Sequence, residues 1–274
     1  MIGARPCRTR IRERHCRSSD MILKHRARLL LALTAIPAIA WAQTDEIEIY
    51  DASIVDPGKF ELTVHGNYTP DGLKQPAFPG GVVPNHSLNG AFEWAYGVAD
   101  FLELGLYLPV YTVTNRGDPQ FDGGKLRTLW VVPHARQREF FYGVNFEFSY
   151  NLHHWESTRT ALEIRPIAGL HEGRWDLIMN PILDSDFKGI GAVHFAPAER
   201  IAYNASNKWA FGLEHYGDLG PLRGFDPVSQ QSQTLFAVTD YTVDEANSIE
   251  FGIGHGLTSG SDDVVLKLIL NHDL

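Results

Sequence analysis

Residues 140–150 read Phe-Phe-Tyr-Gly-Val-Asn-Phe-Glu-Phe-Ser-Tyr. Phe140, Tyr142, Val144, Phe146, Phe148 and Tyr150 fall on one parity, and Phe141, Gly143, Asn145, Glu147 and Ser149 fall on the other. Successive side chains of a strand point to opposite faces, so this stretch predicts a β-strand with one apolar, aromatic face and one mostly small or polar face. The pattern recurs on both sides. Leu88, Gly90, Phe92, Trp94 and Tyr96 oppose Asn89, Ala91, Glu93 and Ala95; Leu102, Leu104, Leu106, Leu108 and Val110 oppose Glu103, Gly105, Tyr107 and Pro109. Near the C-terminus Ile249, Phe251, Ile253, His255 and Leu257 oppose Ser248, Glu250, Gly252, Gly254 and Gly256. Helical periodicity is hard to find after Gln43.

Extended along the chain, the alternation predicts about twelve strands, near 59–68, 87–97, 101–112, 125–135, 139–150, 159–170, 174–184, 190–204, 208–217, 232–242, 247–257 and 263–274. Their lengths suit tilted strands that cross a bilayer, which need ~9 to 11 residues. The first, third, fifth, seventh and ninth links are long or rich in Gly, Pro and Asp (Thr69 to His86, Val113 to Gly124, Asn151 to Thr158, Ser185 to Gly189, Asp218 to Gln231). The even links are tight, at Val98-Ala99-Asp100, Arg136-Gln137-Arg138, Gly173, Ala205-Ser206-Asn207 and Asp244-Glu245-Ala246. Long and short links in alternation are the mark of an all-β, antiparallel up-and-down transmembrane barrel. The last strand carries Val264, Leu266, Leu268 and Leu270 on one parity and ends the chain, so it is placed to close against the first.

If the apolar parity meets lipid, the other parity lines the lumen. It is rich in carboxylates: Glu61, Glu93, Glu103, Glu147, Glu163, Glu214, Asp240 and Glu250. Arg127, Arg165 and Lys267 share that parity. A basic residue facing mid-bilayer lipid costs ~2 to 4 kcal/mol, which favours the inward placement. Two expectations follow: the cations pair with several carboxylates and stiffen a nearly filled interior, or the surplus carboxylates leave a narrow water path that favours cations. A repeat supports hairpin construction. Phe101-Leu102-Glu103-Leu104-Gly105-Leu106 and Ser248-Ile249-Glu250-Phe251-Gly252-Ile253 share a hydrophobic-Glu-hydrophobic-Gly pattern just after a tight turn, and the glycine leaves room beside the carboxylate.

The stretch Tyr96-Gly97-Val98-Ala99-Asp100-Phe101-Leu102-Glu103-Leu104-Gly105-Leu106-Tyr107-Leu108-Pro109 resembles the turn-and-strand signature of proteobacterial outer-membrane barrels of the MetA-pathway-of-phenol-degradation transporter type. Val83-Pro84-Asn85-His86-Ser87-Leu88-Asn89-Gly90 and Asn180-Pro181-Ile182-Leu183-Asp184 resemble segments of a group of exported proteins with no assigned activity. The resemblance implies an outer-membrane barrel and a transport function.

The chain has 274 residues and a formal charge of −9, but the charge is unevenly spread. Residues 1–42 hold nine of the 24 basic and two of the 33 acidic residues, leaving 15 and 31, a formal charge of −16, for residues 43–274. So acidic a remainder argues against nucleic acid as a partner. From Met21 the chain runs through Lys24, Arg26 and Arg28 into the apolar Leu29–Ala40 and then Ala40-Trp41-Ala42 before Gln43. This is the plan of a secretory signal over residues 21–42, cleaved after Ala42, with residues 1–20 a mis-assigned extension and 43–274 the barrel domain. Both cysteines, Cys7 and Cys16, leave with it.

Candidate chemistry is sparse. His86-Ser87 and His153-His154-Trp155-Glu156 fall at predicted external strand ends, where a lipid hydrolase would act. Neither forms a recognisable hydrolase motif, and girdle residues occupy such positions in any barrel. No catalytic residue, metal or cofactor is expected. The expected partners are outer-membrane lipid of a Gram-negative envelope, the outer-membrane assembly machinery and a small-molecule solute. A lipid-acting barrel enzyme and a soluble periplasmic β-sandwich that binds a ligand are the rival readings.

Overall fold

The computed structural model describes residues 45–274. The predicted leader, its cleavage site at Ala40, Ala42 and Gln43, and the extension before Met21 lie outside the described residues. Twelve strands are present: β1 (Phe60–Asp71), β2 (Leu88–Ala99), β3 (Leu102–Val113), β4 (Pro119–Val131), β5 (Phe140–Asn151), β6 (Thr160–Glu172), β7 (Trp175–Ser185), β8 (His194–Asn204), β9 (Trp209–Asp218), β10 (Ser232–Thr242), β11 (Asn247–Gly256) and β12 (Val264–Asp273). Each pairs antiparallel with its chain neighbours, and β12 returns to β1 to close the barrel. The closing seam runs without a break from Glu61 opposite Asp273 to Tyr68 opposite Leu266. No strand edge is left for hydrocarbon to desolvate.

The alternation places the side chains as expected. Trp94, Leu104, Leu106, Leu126, Phe146, Phe148, Leu213, Phe251 and Leu268 are exposed on the outer wall, where water would penalise them and lipid does not. At the tight-turn end the outward aromatics gather into a girdle. Phe60 lies against Tyr96, Phe101 against Trp130, Trp175 against Tyr203 and Trp209 against Tyr241, with ring centroids 4.6, 6.1, 5.0 and 4.3 Å apart. Amphipathic rings at one level are what a membrane-water interface selects.

Three expectations need correction. First, β4 runs over Pro119–Val131, not 125–135. Gly123, at φ 146°, lets the strand bulge there and resume. Pro133, which has no amide to donate, follows its end. The third link thus shortens to 114–118 and the fourth lengthens to 132–139 around a 3-10 turn at Ala135–Gln137, so the alternation of long and short links is not strict. Second, Val110 does not share the lipid face with Leu108. The register of β3 on β4 shifts between Tyr107 and Val110, and Val110 is buried inside with Tyr107. Third, β8 begins at His194, because Ile190–Ala192 forms a 3-10 turn.

Inside the barrel, aromatic rings lie over glycines of the paired strand. Phe141 sits opposite Gly169 and Phe236 opposite Gly254, and a Cβ on either glycine would overlap the ring. Gly169→Ala and Gly254→Ala are each expected to cost about 1–3 kcal/mol by overpacking. Urea unfolding in detergent, followed by the loss of the heat-modifiable gel band, measures this; variants as stable as the wild type would show that the rings move aside freely.

Candidate functional site: a lumen occupied by the N-terminal segment

Residues 45–55 lie inside the barrel. They enter beside the tight turns, where Pro57 bridges to Gly97, and reach Asp45 in mid-lumen. Ile47 packs with Phe236, Val238 and Val265 on one wall, whereas Ile49, Tyr50 and Ala52 pack with Leu129, Phe141, Ile167, Ile178 and Ile182. The segment's polar groups are matched as well. Asn180, fully buried on β7, accepts the Tyr50 N–H through Oδ1 at 2.8 Å and donates from Nδ2 to the Tyr50 carbonyl at 3.0 Å. The Val55 N–H donates to Glu103 at 2.6 Å, the Tyr50 and Tyr107 hydroxyls are 2.7 Å apart, and Lys267 donates to the Ile47 carbonyl at 3.2 Å. Unpaired polar groups this deep would each cost roughly 1–3 kcal/mol, so the matching fixes one seat for the segment.

Charges complete the interior. Arg127 bridges Glu93 and Glu103. Arg165 binds Glu163 at 2.7 Å and the segment's Glu46 at 3.2 Å, and stacks over the Tyr50 ring at 4.3 Å. Lys125 joins Glu147 and Asp45, each at 2.9 Å. Arg200 gathers Glu214, Asp240 and Glu250, and Lys267 pairs with Glu214 and Glu250. Of the residues expected inside, Glu93, Glu103, Arg127, Glu147, Arg165, Glu214 and Lys267 are thus buried and joined in ion pairs, with Glu163, Asp240 and Glu250 partly buried in the same network. Glu61 stands at the tight-turn end, 3.5 Å from the Thr63 hydroxyl that donates to it.

Lys125 and Arg200 were not expected inside. Lys125 shares the inward parity of Arg127, at the first residue of the strand expected there, and Glu199 beside Arg200 left the face of β8 ambiguous. In the structure Glu199 pairs with His215 at 2.8 Å on the opposite face from Arg200. The larger omission is the segment itself. Its signal was legible in Glu46-Ile47-Glu48-Ile49, which alternates charge and branched apolar side chains just before the first strand.

The repeated Glu-x-Gly pattern has a specific use. Gly105 pairs with Arg127 across β3 and β4, and Gly252 pairs with Lys267 across β11 and β12. In each case the aliphatic stem of the cation lies where the glycine lacks a Cβ. The charged end thereby reaches the Glu two residues away, Glu103 or Glu250.

Two cavities in the lumen are lined by described residues. One of about 400 Å³ reaches the tight-turn end and is lined by Glu61, Glu93, Arg200, Lys208, Asp240 and Glu250 among others. The other, about 190 Å³, lies toward the longer links and is lined by Glu163, Arg165, Asp184, Asp218 and Thr234 among others. Among the described residues Glu48 alone lines both.

No protein-family profile and no curated protein sequence matches the chain. Solved structures do match in fold. An outer-membrane channel from Pseudomonas putida F1 aligns at 13% identity and a TM-score of 0.54, over 84% of this chain and 100% of that one. The KdgM porin in complex with disordered oligogalacturonate aligns at 8% identity and 0.52, over 78% and 99%. The NanC porin aligns at 8% and 0.52, over 78% and 100%.

The chain has the closed β-barrel fold of these outer-membrane channels. Its fold is that of porin-like channels, and no enzyme is named among these three neighbours. The candidate hydrolase residues of the barrel do not converge. Buried Ser87 donates its hydroxyl to the Pro84 carbonyl at 2.7 Å. His154 pairs with Asp122 at 2.8 Å, His153 lies against the Phe78 ring, and Glu156 accepts hydrogen bonds from Asn151 and Thr158. Nor do His153, His154 and Glu156 gather as metal ligands.

Removing Arg127 would leave Glu93 and Glu103 facing each other in the barrel interior. Arg127→Leu is expected to destabilise the barrel by about 3–5 kcal/mol, read by urea unfolding in detergent. A second expectation concerns Asp262, in the link between β11 and β12. Burial holds its carboxyl up at about 6, although its Oδ1 accepts the Leu73 N–H at 2.8 Å. A raised carboxyl binds its proton more tightly in the folded state, so its contribution to stability falls as pH rises from about 4 to about 6 and stays low above that. The unfolding midpoint of Asp262→Asn should therefore gain on the wild type across that window; a constant difference between the two would contradict it.

Proposed function

We propose that the protein is a channel for small solutes whose narrow, carboxylate-rich lumen is closed at rest by its own N-terminal segment. The observation that carries this reading is a pair of cavities that, among the described residues, share Glu48 alone as a lining residue, on a strand of chain that is held in the lumen and is not part of the wall. A solid plug of wall side chains would leave no such junction. Displacement of residues 45–55 joins the two cavities into one path. The porin-like fold supports transport over catalysis.

The lining favours cationic or neutral solutes. Glu48, Glu61, Glu163, Asp184 and Asp240 all line the cavities; of the cations there, Arg127, Arg165 and Arg200 are each bound to carboxylates, and Arg136 and Lys208 line the larger cavity as well. One neighbouring porin is described with oligogalacturonate. A polyanion of that kind would meet mostly carboxylates here, so we assign a different solute class to this barrel.

Planar-bilayer recording tests the reading. The wild-type barrel should show brief, small, cation-preferring openings, and deletion of residues 45–54 should give a larger and steadier conductance. Asn180→Ala removes two buried hydrogen bonds to Tyr50. At about 1 kcal/mol each, their loss should raise the open probability roughly thirtyfold while the barrel stays folded. A folded deletion variant that conducts no better than the wild type would overturn the closed-channel reading.

A further inference from the structure

Where the N-terminal segment crosses the lumen, three potential ligands from three backbone elements converge. Glu48 comes from the segment, His65 from β1 and Glu93 from β2. Their nearest donor atoms all lie within 4.8 Å of one another. His65 Nε2 is 3.1 Å from Glu93 Oε2 and 4.0 Å from Glu48 Oε2. An edge of about 3.3 Å is what two ligands make on a tetrahedral ion with bonds near 2.05 Å, so the first pair is already at coordination spacing. The third, Glu48, must swing closer to reach the same spacing from His65. Glu48 is free to do so: its side chain is 31% exposed, and its carboxylate accepts no hydrogen bond from the described residues.

The surroundings suit a cation. Arg127 takes Glu93 Oε1 and leaves Oε2 facing His65, and Arg127 is itself divided between Glu93 and Glu103. Glu46 is bound by Arg165. Glu48 therefore has no guanidinium or ammonium partner of its own, and the site lies at the edge of a cavity through which an ion can arrive. One imidazole and two carboxylates, both carboxylates lining that cavity, form a donor set for a borderline divalent ion such as Zn²⁺; Mg²⁺ and Ca²⁺ prefer all-oxygen shells.

We propose that Glu48, His65 and Glu93 bind a divalent transition-metal ion of the Zn²⁺ class that fastens the N-terminal segment to the barrel wall. The binding site stands on its own geometry; its effect on conduction rests on the closed-channel reading above. Because Glu48 lines both cavities, the bound ion would hold the partition between them shut.

Calorimetric titration of Zn²⁺ into the chelator-treated, detergent-purified barrel tests the site, with heat-modifiable gel mobility as the check of folding. The wild type should bind one Zn²⁺ per barrel and show no comparable heat with Mg²⁺. Glu48→Gln, at a position that is not fully buried, should fold and weaken binding at least about tenfold. His65→Asn should abolish binding, and His134→Asn, which alters an exposed His–Asp pair far from the site, should leave it intact. A folded wild type that binds no Zn²⁺, or a Glu48→Gln barrel that binds it equally well, would overturn the proposal. In bilayers Zn²⁺ should lower the open probability of the wild type and leave that of Glu48→Gln unchanged. Should Zn²⁺ bind as described while deletion of the segment fails to raise conductance, the site stands and the closed-channel reading falls.

Discussion

The structure depends on the pairing of β12 with β1. In hydrocarbon an unpaired backbone amide or carbonyl has no water to turn to, so a sheet that crosses a membrane must leave no edge. Once it is closed, alternate side chains have only two destinations. Those on one parity meet lipid and are aliphatic or aromatic; those on the other are confined to a small interior. A mean hydropathy of −0.18 over the chain averages these two populations together, and it conceals the membrane character of the outer one.

A twelve-stranded interior is too wide for opposing wall side chains to fill and too narrow to hold bulk water comfortably. This barrel resolves the difficulty with charge and with a borrowed strand of chain. The wall supplies long cations that reach across to carboxylates, and the segment supplies Ile47, Ile49 and Tyr50 to wall pockets on both sides. Such an arrangement is costly to disturb in parts, because removal of one partner strands another. It is less costly to disturb as a whole, since a segment outside the sheet can withdraw without breaking the barrel's hydrogen-bonded ladder.

Strand positions were legible because lipid enforces a strict period of two. Where the period holds, as in β2, β5 and β11, expectation and structure agree closely. It misleads where the backbone interrupts it. The bulge at Gly123 and the register shift near Val110 each move residues to the other face, and so Asp122 is buried inside and Val110 left the lipid side. The inward carboxylates could be listed from parity alone. Their partners could not, because pairs such as Glu214 with Lys267 join strands that are not neighbours, and a linear sequence carries no measure of distance across a barrel. The N-terminal segment escaped for a related reason: its alternation is short, and nothing in it says that its neighbour is the inside of the fold and not another strand.

The glycine seats under Arg127 and Lys267 also determine how the strands are staggered. A slip of one residue between β3 and β4 would turn Arg127 toward lipid. A slip of two would restore its direction but set its stem against Glu103 or Tyr107, where there is no vacant Cβ position. The same holds for Lys267 opposite Gly252, with Glu250 and Gly254 as the alternatives, the latter already covered by Phe236. Stagger summed around a barrel sets its tilt and radius. Two missing side chains thus help to set the bore of the whole molecule, and a Glu-x-Gly on one strand facing a Lys or Arg on the next becomes a ruler by which the shear of other barrels can be read.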